Sequence, residues 1–286
     1  MDFLIILLLC SLATSKVTLQ SRFGKRKSAT ASDNILFNAT VFLTASLLFC
    51  LDIPKASAGT WGFASVFALF TVAFQLFYTK ALSVGNVSLT VMIVNLSMIF
   101  PSFVSVIFYN ESLTAMRLLG ILFTILSFVL AVDFKIKGKL SHSWLLFATI
   151  ATLANGGIGI TQKIFGASVL IGEKKSFVAC AYAIAFVVTL FLRLCMRSTN
   201  IGVTTKQARS NCILAIAVGI ILALFQWLNT YAISIMDGSF LFPVYSGGSI
   251  ILSTIVGVLF FKDKLEKRQI ISIALGVIAV VIMNIS

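Results

Sequence analysis

The chain has 286 residues, 59% of them hydrophobic and 11% charged, with a mean hydropathy of +1.06. Soluble domains average roughly 45–50% apolar and about 25% charged, so this composition excludes a disordered chain, a nucleic-acid-binding domain and an ordinary cytosolic enzyme. The net charge of +13 does not alter that conclusion, because the cations stand in short runs between apolar stretches, where they orient a membrane protein.

In chain order, apolar runs with polar or charged ends occupy residues 3–19, 34–51, 61–81, 87–109, 116–132, 144–164, 177–194, 212–235, 239–261 and 270–285. A span needs about 20 apolar residues, and open strands leave backbone groups unsatisfied in lipid. The runs therefore predict an all-α polytopic membrane protein of ten transmembrane helices. The first run resembles a secretory signal only superficially: Met1-Asp2 gives no basic start and no small-residue cleavage site follows. The five cysteines, Cys10, Cys50, Cys180, Cys195 and Cys212, are odd in number and widely spaced, and no disulfide framework or metal site is readable from them.

The polar segment 133–143 separates two five-helix units, 1–132 and 144–286. FQLFYTKALSVGNVS from Phe74 lies over FQWLNTYAISIMDGS from Phe225 with six identities in fifteen positions, in the third helix of each unit. Downstream, Phe108, Glu111 and Leu113 lie over Phe260, Asp263 and Leu265; upstream, Lys16 lies over Lys163. An odd number of spans per unit forces the second to enter the membrane from the opposite side. Inverted pairs of this kind are typical of secondary transporters, whose solute site lies near the midplane between the repeats. A duplication kept in a non-transporting scaffold is the alternative.

Ten helices in two repeats, an acid-x-Leu motif after the fourth helix of each (Glu111-Ser-Leu113 and Asp263-Lys-Leu265), and small residues in the helix that follows (Gly120; Ser272 and Gly276) together resemble the EamA-type members of the drug/metabolite transporter superfamily. The resemblance covers essentially the whole chain. It implies the ten-helix fold and a transport activity, with amino acids, sugars, nucleotide-linked metabolites or drugs as the range of solutes. The second motif carries Asp263 where Glu is usual, among Lys262, Lys264, Lys267 and Arg268.

Loops after the odd-numbered helices carry 16 cations against 4 (Lys55, Arg117, Lys174, Lys175) on the opposite face. The positive-inside rule then directs both termini away from the cytoplasm, whereas the family resemblance implies cytoplasmic termini.

All nine acids lie at helix ends or in loops. Intramembrane carboxylates mark proton and cation pathways, so a proton antiporter built on a buried Glu is disfavoured. With His142 as the single histidine and no acid cluster, so is a membrane transferase. Polar groups within the spans include Gln75, Asn95, Asn155, Gln226, Asn229 and Tyr245, with Trp227 between Gln226 and Asn229. They either hydrogen-bond a solute or join helices to one another; the repeat-matched Gln75 and Gln226 are the strongest pair for lining a site. Lys16 and Lys163 sit near predicted helix ends, where they either contact a substrate carboxylate or phosphate or snorkel to the interface. Gly156, Gly157 and Gly159 after Asn155, with Gly247 and Gly248 after Ser246, either loosen their helices or allow close packing.

The expectation is a multi-pass plasma-membrane permease for a small polar metabolite, an amino acid or related compound, acting in export and without catalytic residues, metal or cofactor. Its partners are the solute and the lipid bilayer, not nucleic acid, with a homodimer left open. A sugar or nucleotide-sugar carrier is the second transport reading, and a non-transporting scaffold or lipid-modifying enzyme the competitor from another class.

Overall fold

The computed structural model describes residues 2–24, 31–85, 87–109, 114–131, 142–195, 205–261 and 267–284, which form helices and connecting turns with no strand among them. The helices are α1 (Asp2–Gly24), α2 (Ala31–Leu47), α3 (Ala58–Val84), α4 (Val87–Asn95), α5 (Ile99–Tyr109), α6 (Ala115–Ala131), α7 (His142–Gly166), α8 (Lys174–Cys195), α9 (Thr205–Ile235), α10 (Gly238–Phe261) and α11 (Lys267–Asn284). Short 3-10 turns occupy Cys50–Lys55, Leu96–Met98 and Val169–Glu173. The motif acids Glu111 and Asp263 and the central segment 133–141 lie outside the described residues.

Every apolar run of the sequence falls on a helix, but not every helix is a full span. Among the described residues, five stretches are long and apolar enough to cross a membrane: Phe3–Gly24, Ala58–Val84, His142–Gly166, Val169–Cys195 and Arg209–Ile235. α2 and α6 have 17 residues each, or about 26 Å at 1.5 Å per residue, slightly short of a ~30 Å hydrocarbon core.

The fourth run, expected to be a helix, stays helical but changes its winding partway along. Pro101 has no N–H to offer the carbonyl four residues back, and its ring crowds that carbonyl. The chain tightens into the 3-10 turn Leu96–Met98 before resuming as α5. Side chains bond within the chain on both sides of the turn: Asn95 Nδ2 donates to Val91 O at 2.9 Å and Ser102 Oγ to Met98 O at 2.8 Å.

The distribution of polarity is that of a protein solvated by hydrocarbon. Phe3, Leu69, Phe103, Leu122, Leu153 and Val187 face outward and are exposed, while Gln20, Asn38, Gln75 and Gln162 are buried. Water would favour the opposite, whereas lipid makes interior polar groups the ones that must find partners.

Helix pairing respects the division into halves. α3 packs on α7 as α1 does on α9, α3 packs on α8 as α2 does on α9, and α2 meets α8 as α6 meets α11. Exchanging the five helical runs of the first half with those of the second maps these pairings onto themselves. The local bonds recur as well. Thr79 Oγ1 donates to Gln75 O at 2.7 Å and Thr230 Oγ1 to Gln226 O at 2.8 Å; Ser83 bonds Lys80 O and Ser234 bonds Tyr231 O. The C-terminal N–H of Gly85 meets Ala81 O, and that of Met236 meets Ala232 O.

Aromatic rings fill the junction of α2, α3, α7 and α8: Phe165 stacks on Phe177 at 4.2 Å, and Phe67 meets Phe177 edge-on at 5.1 Å. Glycines allow α7 to approach its neighbours closely. A Cβ on Gly157 would lie 2.6 Å from the Phe70 ring and one on Gly159 would lie 2.8 Å from the Pro101 ring, while at Gly156 it would collide with Phe100. Gly248 on α10 is likewise closed by Cys10 Sγ. α7 and α10 are unbroken over these positions, so close packing is what these small residues serve.

At one end the two halves are tied together. Ser57 caps α3, accepting from Thr60 N–H at 3.3 Å, and Glu173 Oε2 accepts from both the N–H (2.8 Å) and the hydroxyl (3.0 Å) of Ser57. Beside it, Ser176 Oγ donates to Asp52 O at 2.7 Å, and the Lys55 ammonium, 2.7 Å from Asp52 Oδ1, holds that carboxyl below the usual carboxylate range.

Candidate functional site

Two adjoining lobes open between the halves. The first, about 630 Å³ with its opening included, is bordered by Thr14 and Lys16 of α1, Phe74 and Tyr78 of α3, Asn95 of α4, Asn155 of α7, Phe225 and Gln226 of α9, and Tyr245 and Ser249 of α10. The second, about 480 Å³, shares Asn95, Asn155, Phe225, Gln226 and Tyr245 and adds Ser97, Gln162, Asn229 and Ser246. Among the described residues, neither lobe is lined by an Asp or Glu.

The fourth run supplies one wall. Asn95 and Ser97 stand at the 3-10 turn, and Asn155 Nδ2 donates to Ser97 Oγ at 2.6 Å. Irregular backbone is tolerated at membrane depth where it lines a cavity, and this turn does so.

An amide cluster forms the opposite wall. Gln162 Nε2 donates to Gln226 Oε1 at 2.8 Å and to Thr230 Oγ1 at 3.1 Å, and Gln162 Oε1 accepts from Asn229 Nδ2 at 2.9 Å. Asn229 Oδ1 is buried with no hydrogen-bond partner. The first half has a related clamp outside these lobes, Gln20 Nε2 donating to Thr79 Oγ1 at 2.7 Å. Thr79 and Thr230 hold the same place in α3 and α9.

Lys16 is 8% exposed and lies along the first lobe, its Nζ 5.2 Å from the centre of the Phe74 ring. The sequence places it within a turn of its helix end, where it could snorkel. α1 instead runs on to Gly24, leaving Lys16 two turns inside. Gln20, bonded to Thr79, and Phe23, stacked on Phe37 at 4.0 Å, hold those last turns as helix.

Six of the nine candidates thus border one cavity: Lys16, Asn95, Asn155, Gln226, Asn229 and Tyr245. The other three lie elsewhere. Gln75 is buried behind Phe74, outside both lobes, with Nε2 lacking a partner. Trp227 faces away from the lobes toward Phe49, ring centres 6.4 Å apart. Lys163 sits at the end of α7 over the Tyr109 ring at 5.2 Å. Gln162, the hub of the amide cluster, is not among the sequence candidates, although it stands inside the Thr161-Gln-Lys-Ile stretch that carries the repeat.

Such a fold, apolar outside with polar groups and a cavity inside, is that of an integral membrane protein. Residues 2–132 match the model of the EamA-like transporter family, in keeping with the drug/metabolite transporter superfamily to which the sequence motifs point. No curated protein matches the chain. A solved structure, described only as the crystal structure of a protein, is similar in fold with a TM-score of 0.73 at 15% identity, over 99% of this chain and 95% of that one. The fold likeness therefore runs the length of both halves, beyond the segment that the family model matches.

Proposed function

We propose that the chain is a permease that moves a small polar metabolite, an amino acid or a related compound, across the plasma membrane by alternating access, in the direction of export. The observation that carries this reading is the cavity itself: α1, α3 and α4 border it from one half, and α7, α9 and α10 from the other. A site shared by two halves can be held closed on either side by rocking one half against the other. Ten spans arranged as two inverted units, 1–132 and 144–286, account for the self-mapping helix pairs and for the bonds that recur between α3 and α9. The polar part of the lining is amides and hydroxyls with one ammonium, set among rings and aliphatic side chains, which suits hydrogen bonding of a polar solute. Among the described residues it offers no carboxylate to carry a proton, which suits facilitated diffusion, exchange, or a coupling that needs no buried carboxylate.

Purified protein in liposomes, assayed for counterflow with a radiolabelled panel of amino acids, hydroxy acids, sugars and nucleotide sugars, tests this. Flux of an amino acid or a close relative is the expected result. Flux of sugars alone would transfer the reading to a sugar carrier. Absence of all flux from protein that melts cooperatively, or lipid turnover by the pure protein, would overturn it.

A further inference from the structure

We propose that Lys16 anchors a carboxylate, and that the solutes accepted are those bearing one free carboxylate, no second negative charge, and a hydrogen-bond donor. This rests on the permease reading and names the solute class for the same cavity.

Lys16 is the one cation bordering the lobes among the described residues, and no acid stands among their lining groups to pair with it. An ammonium at this depth is costly unless it meets an opposite charge. The Phe74 ring, 5.2 Å from Nζ, is its neighbour on the wall, and a ring face offers only a weak substitute for an ion pair. Thr14 Oγ1, on the same helix, is buried without a partner and borders the same lobe. The ammonium supplies the charge that a carboxylate needs, and the hydroxyl is a further donor on the same lobe. One cation neutralises one charge. A phosphate monoester carries about −1.5 to −2 at neutral pH and would leave charge uncompensated in an apolar surround.

The far end of the cavity has the complementary chemistry. Asn229 Oδ1 is an unpartnered buried acceptor in the second lobe, fixed in place by the bond from Asn229 Nδ2 to Gln162. An acceptor there suits a solute hydroxyl or ammonium. Phe74, Tyr78, Phe225 and Tyr245 enclose the space near Lys16 with rings, Phe225 and Tyr245 lying 5.5 Å apart. The geometry selects a compact body with a carboxylate at one end and a donor at the other, the pattern of amino and hydroxy acids. Sugars lack the anion and polyamines carry the wrong sign.

The test uses the full chain in liposomes, sorting the transported members of the metabolite panel by charge and then comparing each with its own carboxamide. The expected result is that transported solutes carry one carboxylate and that the carboxamide loses roughly tenfold or more in apparent affinity, the scale of a hydrogen bond to a charged group. Lys16→Gln should raise the half-saturating concentration of the acid by a similar factor and erase the preference for acid over amide, while Lys16→Arg retains it. Should Lys16→Gln fail to fold, the acid and amide comparison in the unaltered protein still decides. Flux with equal preference for acid and amide, or efficient flux of phosphate esters, overturns the carboxylate assignment and leaves the permease reading standing; absence of flux for the whole panel overturns both.

Discussion

Asn155 of α7 donates from Nδ2 to Ser97 Oγ at 2.6 Å, joining a helix of the second half to the tightened turn of the first at the wall of the cavity. The contact holds the 3-10 turn against α7. Asn155→Ala and Ser97→Ala should each lower stability by about 0.5–1.5 kcal/mol. The double variant should cost less than the sum, because both changes remove one shared bond. Detergent melting of the three variants checks this, and strict additivity would show the two side chains to act separately.

Gln75 and Gln226 hold the same place in their repeats but different places in the fold. Gln226 borders both lobes and accepts from Gln162 at 2.8 Å, so Gln226→Ala should weaken solute affinity by about 0.5–1.5 kcal/mol, roughly 2- to 13-fold. Gln75 lies outside the lobes, and Gln75→Ala should shift the melting temperature with solute affinity unchanged. Solute-induced thermal shifts on both variants separate the two effects. Equal loss of affinity would place Gln75 on the solute path as well.

That divergence marks how far the sequence could be read. Hydrophobic runs gave each helix to within a few residues at most ends, because lipid imposes length and polarity directly on the chain. The repeat was legible in α3 and α9 because Thr79 and Thr230 preserve the same backbone bond in each. Three things were not. The tightening before Pro101 depends on one residue in a run whose hydropathy is uniform. The burial of Lys16 follows from α1 continuing past residue 19, which contacts of Gln20 and Phe23 with other helices decide. Gln162 was hidden because it has no identical counterpart in the first half, where Ser15 stands at that offset.

The glycines of α7 yield a stability prediction. A methyl group at Gly159 would stand 2.8 Å from the Pro101 ring and one at Gly157 2.6 Å from the Phe70 ring. A proline ring within a helix can yield little, so Gly159→Ala should destabilise by about 1–3 kcal/mol, the usual cost of overpacking. Phe70 is 38% exposed and can swing outward, so Gly157→Ala should cost less. Melting temperatures of the two variants give the order, and its reversal would mean that α5 shifts more readily than Phe70 rotates.

Orientation can be tested without reference to the fold. The loops after α1, α3, α6, α8 and α10 carry sixteen cations against four on the opposite face, and the positive-inside rule predicts that they face the cytoplasm. A thiol introduced at Ser286 should then react with an impermeant reagent added outside intact cells, and one at Lys137 should not. The reverse labelling would put both termini in the cytoplasm, as the family resemblance implies.

The last prediction concerns the tie between the halves. Glu173 Oε2 accepts two bonds from Ser57, the N-cap of α3, and so joins one half to the other. If one half rocks against the other, this face must part for the cavity to open there. Removing the acceptor of both bonds, Glu173→Ala should shift the balance toward the state open at this face. A thiol at Ser249, on the first lobe, in a background without other cysteines reports the opening. Its labelling from the Ser57 side should accelerate in the Glu173→Ala protein, and Glu173→Gln, which keeps an acceptor oxygen, should fall between. Unchanged labelling in both would show that the halves stay joined at this face and that access is gated elsewhere.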